Sequence, residues 1–78
     1  MNTIDALDAA QRQYNRCARM VAIDVDITDA IATDPNAPGE RGPRADAWRA
    51  QMLAVDLANF RAAAAELDAA TRAHFALR

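Results

Sequence analysis

The sequence predicts an all-α fold, an antiparallel two-helix hairpin completed to a helical bundle by dimerisation or by a partner chain. Three observations predict it. Every proline and glycine of the 78 residues falls in one stretch, Asp34-Pro35-Asn36-Ala37-Pro38-Gly39-Glu40-Arg41-Gly42-Pro43. On either side runs a long segment free of both and rich in Ala, Leu, Arg and Asp. In each segment, apolar residues recur at helical spacing. The expected organisation is a single domain with a helix over about 3–33, a loop over 34–43 and a second helix over about 44–77.

The first helix has its start signal in Asn2 or Thr3, either of which can cap it. Asp5 and Asp8 follow in the first turns, where the helix dipole favours negative charge. Ile4, Leu7, Tyr14, Ala18, Val21, Val25 and Ala32 fall on one face, with Gln11 as an interruption. Arg12, Arg16 and Arg19 lie opposite and read as a solvated face, Asp8 and Arg12 being placed as an i,i+4 pair. From Met20 onward a second apolar row, Met20, Ile23, Ile27 and Ile31, occupies the back of the same helix. A helix apolar on one side is satisfied by one neighbour, whereas a helix apolar on two sides needs a further surface to cover it. Val21-Ala22-Ile23-Asp24-Val25-Asp26-Ile27-Thr28 also alternates in the manner of a strand. With no second strand-like run to pair with, helix is the preferred reading.

The loop follows from chemistry that a helix cannot accommodate. Pro35 disfavours helical geometry at Asp34, while Pro38-Gly39 and Gly42-Pro43 are turn dipeptides. Pro43 suits a first helical position, and Asp46 then lies in the first turn. The second helix has Leu53, Leu57, Phe60, Ala64, Leu67, Thr71 and Phe75 on its main face. Trp48, Met52 and Val55 form an extra row confined to the half nearest the loop. Arg72, His74 and Arg78 complement the dipole at the C-terminal end, and Asp68–Arg72 is a further i,i+4 pair.

Folded antiparallel about the break, residues whose numbers sum to about 77 face each other. Tyr14 then meets Ala63 and Ala64, Phe60 meets Cys17 and Ala18, Leu67 lies near Ala10, and Leu53 near Val25. Bulky residues oppose small ones, as interdigitation requires. The two extra rows also come together. Met20, Ile23, Ile27, Ile31, Trp48, Met52 and Val55 form an expected interface at the loop-proximal end. In architecture the chain resembles Rop-type hairpin dimers. No family motif accompanies the likeness, so it implies the bundle and no function.

Candidate chemistry is sparse. Cys17 is the sole cysteine, so an intrachain disulfide is impossible, and no Cys/His grouping suggests zinc. Asp24, Asp26 and Asp29 lack the central Gly and distal Glu of a calcium loop. They read as solvated or partner-facing carboxylates. His74 is explained by the helix dipole, and Cys17 reads as a small buried thiol. Asp56 falls between the two apolar rows of its helix, expected to mark an interface rim or to pair with an arginine. There is no Gly-rich phosphate loop, Ser/His/Asp set or base-stacking aromatic series. No enzyme activity, cofactor or metal is therefore expected.

Charge and location complete the expectations. The net charge is −2, and residues 20–40 carry five acidic residues with no basic one. A general nucleic-acid binder is not expected. All nine basic residues are Arg, which with the abundant Ala suggests GC-rich coding and a bacterial or phage source. No signal peptide or membrane span is expected, and the location that follows is cytoplasmic. The functional expectation is a small non-enzymatic interaction module, adaptor or structural, that homodimerises through the loop-proximal patch. The alternative is a small phage-encoded inhibitor. Its acidic-hydrophobic end, with Asp24, Asp26 and Asp29 as electrostatic contacts, would occupy a basic site on a host nucleic-acid-handling or defence complex such as CRISPR.

Overall fold

The structure, a computed structural model, describes residues 2–76 and is a helical hairpin. Helix α1 spans Thr3–Thr33 and α2 spans Pro43–Ala76, and the two pack against each other. Among the described residues there is no strand, and Val21 to Thr28 is continuous helix. The pair measures 55 × 18 × 17 Å, two helices side by side with nothing laid across them. Leu77, the expected last residue of the second helix, lies outside the described residues.

Local chemistry sets the helix ends. Asn2 is extended and its Oδ1 accepts from the Asp5 N–H at 2.8 Å, so it is the N-cap of α1. At the other end the Asp34 N–H reaches the Ala30 carbonyl at 2.9 Å, and Asp34 is itself extended, the conformation Pro35 imposes. The Asp34 carboxylate then accepts from the Asn36 N–H at 2.9 Å and bends the chain away. Helix α2 opens with Pro43 in its first position and a 2.9 Å bond from the Asp46 N–H to the Gly42 carbonyl.

Arg41 holds the loop against the end of α1. Its Nη1 donates to the Ile31 carbonyl at 2.6 Å and its Nη2 to the Asp34 carbonyl at 2.7 Å. The last carbonyls of a helix have no partner within it; the guanidinium satisfies that of Ile31 and also reaches the carbonyl of the cap residue Asp34, which accepts from the Ala37 N–H as well. Arg49, from the first turns of α2, donates to the Glu40 carbonyl at 2.7 Å and pairs with Asp46. The loop is thus tied to both helices by side chains rather than by a core of its own.

The seam runs at a different phase from the one the apolar pattern suggests. Leu7, Tyr14 and Val21 face α2 as expected. The positions between them are Thr3, Ala10, Cys17, Asp24 and Ile31, each one residue before Ile4, Gln11, Ala18, Val25 and Ala32. Ile4 is 57% exposed and Val25 40%, whereas Thr3 and Asp24 are half-buried and Ile31 is buried. The alternation of three and four residues is the heptad spacing of helices that stay in contact over many turns. On α2 the same correction applies at the far end. Phe75 is 50% exposed, and His74 turns inward to a 3.1 Å hydrogen bond between its Nδ1 and Thr3 Oγ1.

Size explains the phase. Cys17 and Ala63 are the most buried side chains, at 7% and 3% exposure. Small residues at the contact let two helix backbones approach closely, so the seam centres on them and not on the bulkier neighbours. Tyr14 and Phe60 meet across the seam. They pack on each other, ring centroids 5.1 Å apart and planes tilted at 42°.

Gly39 is where the loop comes closest to the helix. Its φ is +129°, and a Cβ placed there would lie 2.9 Å from Ile31 Cδ1. Gly42 has a similar φ of +115° but open space around it. Both substitutions to Ala should destabilise the hairpin by about 1–3 kcal/mol through backbone strain. Gly39→Ala should cost more, because Ile31 must also move. Urea unfolding followed by circular dichroism measures both, and equal losses would show that the Ile31 contact contributes nothing.

Candidate interaction face

The helices leave a long groove along one side of the hairpin, because two cylinders in contact cannot fill the space beside their seam. In its loop-proximal half the walls are Met20 and Ile27 from α1 and Trp48 and Met52 from α2. Asp24 and Asp56 lie between those walls. The groove continues towards the chain termini past Cys17 and Ala63, and towards the loop past Ile31 to Arg41 and Arg44.

Helical spacing brings these side chains together. Met20 and Ile27 are seven residues apart, two turns of one face, and Trp48 and Met52 are one turn apart on the facing helix. Trp48 is 62% exposed, and Met20, Ile23, Ile27 and Val55 are each 43–48% exposed. Ile23 and Val55 are not among the groove-lining residues and sit on its outer shoulders. Met52 is half-buried. Six of the seven expected interface residues therefore present surface at the loop-proximal end.

The seventh does not. Ile31 is buried at 9% exposure, covered by Gly39 and by the Arg41 side chain bonded to its carbonyl. It anchors the loop instead of extending the exposed face. The reason lies in its phase: Ile31 continues the row of Cys17 and Asp24 and so points along the seam, while Ile27 points beside it.

The acidic residues divide in the same way. Asp26 and Asp29 are exposed. Asp24 is half-buried and lies with Asp56 in the groove between the two helices. Each of the two carboxyls has its Oδ2 cut off from solvent with no donor supplied to it. The carboxyl of Asp24 is held above the ordinary aspartate range, first by its hydrogen bond to Asp56, then by burial and by the like charge. Asp56 thus neither pairs with an arginine nor marks an outer rim. The nearest cation in the groove, Arg49, is engaged by Glu40 and Asp46. No sequence pattern flagged this pairing, since the two residues are far apart in the chain and each looks surface-like alone. Among the described residues, no group of three or more His, Cys, Asp or Glu is placed to hold a metal ion. No described helix is long and apolar enough to cross a membrane.

Comparison with known proteins adds no relative to this geometry: no family model matches the chain, and neither curated proteins nor solved structures give a match.

Proposed function

We propose that this chain is a non-enzymatic protein–protein interaction module that pairs with a second copy of itself through the loop-proximal groove face, two hairpins making a four-helix bundle. The observation that carries this reading is surface area. A compact monomer of 8.5 kDa exposes about 4,700 Å². This chain exposes 5824 Å². The excess of roughly 1,100 Å² exceeds the ~800 Å² that each partner contributes to a standard interface. The excess is not spread evenly, because most of the large exposed apolar side chains gather at the loop-proximal end.

The small core supports the same reading. Cys17, Ile31 and Ala63 are the buried apolar residues among those described. A seam of that size gives a small chain little stability alone, and oligomerisation is one of the few staples open to a chain with a single cysteine. A second hairpin laid over the groove would cover Met20, Ile27, Trp48 and Met52 together and remove both walls from water.

Ile27→Glu or Met52→Glu should weaken self-association by about a hundredfold or more, because an unpaired carboxylate buried in such a contact costs at least ~3 kcal/mol. Arg12→Ala, on the exposed face of α1, should leave it unchanged. Sedimentation or light scattering over a concentration series measures this. A wild-type chain that stays monomeric at every concentration overturns the self-association reading. The exposed Asp26 and Asp29 in the loop-proximal half of α1 would then favour the basic partner of an inhibitor.

The only tryptophan lies in this face, which supplies a second readout. Emission from Trp48 should be red-shifted and readily quenched by iodide in dilute solution, then shift to the blue as the chain is concentrated. The shift should be absent in Ile27→Glu. An unchanged spectrum across a range in which the mass doubles would place the contact elsewhere on the hairpin.

A further inference from the structure

Asp24 and Asp56 occupy facing positions of the seam, one from each helix, where two apolar side chains would ordinarily meet. Each has one carboxyl oxygen removed from solvent and given no N–H or O–H by the rest of the chain. Two carboxylates cannot hydrogen-bond to each other, since both only accept; a carboxylic acid and a carboxylate can, through one shared proton. We propose that Asp24 and Asp56 form a proton-sharing pair that links the stability of the hairpin to pH, tightening the seam in acid and loosening it towards neutrality. The inference concerns the seam within one chain; because the pair lines the groove face, its test is read at concentrations low enough that the chain is monomeric.

The surroundings leave the pair without a competing cation. From α2, Arg49 lines the same part of the groove, but its guanidinium donates to the Glu40 carbonyl and to Asp46. From α1, Arg16 lies further towards the termini and donates to Gln13 Oε1 at 3.1 Å. Glu66, the other charged residue on that part of the groove, carries the same sign as the pair. Met20, Ile27 and Met52 add no polar group. Thr28 and Trp48 beside Asp24, and Gln13 and Asn59 beside Asp56, carry donor groups, but none of them reaches the buried Oδ2 atoms. Proton sharing satisfies the two carboxyls from within the pair itself.

The direction follows from linkage. The Asp24 carboxyl binds its proton more tightly in the folded hairpin than an ordinary aspartate with a value of 3.8. Stability from that proton is fully present below the ordinary value and is lost as pH rises through the raised one. Above it the Asp24 carboxyl is ionised and the proton that joined the two side chains is lost.

The test compares wild type with Asp56→Asn and Asp24→Asn. An asparagine amide donates to the remaining carboxylate at every pH and so replaces the shared proton with one that does not titrate. Urea unfolding of all three proteins, at two concentrations, is followed from about pH 3 to about pH 8. The other carboxylates are common to the three, so their titration cancels in the ratio of unfolding constants. That ratio, wild type over variant, should rise with pH and level off before neutrality. The rise should be about tenfold for each pH unit by which the pair's proton affinity exceeds that of free aspartate. At neutral pH both variants should be more stable than wild type, and the ratio should not depend on protein concentration. A ratio flat with pH, or variants less stable at neutral pH, overturns the inference. Carbon-13 titration of the Asp24 side-chain carboxyl in the wild-type chain gives an answer independent of any variant. A midpoint above the ordinary value is expected, and one at or below it refutes the pair.

Discussion

Two helices lying side by side share a single line of contact, and everything about this hairpin depends on how closely they approach along it. The approach is set by Cys17 and Ala63, whose small side chains admit the opposing backbone. Along the same seam the Tyr14 and Phe60 rings pack on each other, and Asp24 and Asp56 lie together in the groove nearer the loop. Bulk placed at either small residue would push the helices apart and separate both pairs. The seam therefore behaves as one unit, because neighbouring contacts share the same helix–helix distance.

The loop converts that line of contact into a defined hairpin. A nine-residue connection with two glycines has many conformations available, and the chain selects one through Arg41 and Arg49. Both guanidinium groups donate to backbone carbonyls, and Arg49 pairs with Asp46 as well. Ile31, pressed beneath Gly39, is the apolar counterpart of these bonds. It fixes where α1 ends relative to α2 and so sets the level at which Ile27 meets Trp48 and Met52 across the groove.

The helices and their break were legible in the sequence, for a local reason. Proline and glycine act on the backbone within one or two residues, so their confinement to residues 34–43 reads directly as a loop. The exposed face was legible as well, because Met20, Ile23, Ile27, Trp48, Met52 and Val55 exceed what one seam can cover. The seam's phase was not. Leu7, Tyr14 and Val21 belong to it under either choice, and hydrophobicity alone favours Ile4 and Val25 over Thr3 and Asp24 as the intervening positions. The actual choice depends on the distance between two helices, which involves residues from both and leaves no mark on either alone. The same blindness hid the carboxyl pair and assigned Ile31 to the surface.

Cys17 brings a practical consequence. Its sulfur sits at the closest point of the seam, within 3.6 Å of Gln13 Nε2 and otherwise covered by the facing helix. Only 7% of the residue is open to the groove while the helices touch, so little of it is presented to a thiol reagent, and the chain offers no other thiol to confuse the signal. The rate of labelling therefore counts how often the seam opens, without any introduced dye or engineered residue. The molecule carries its own gauge of breathing at the spot where separation of the two helices must pass.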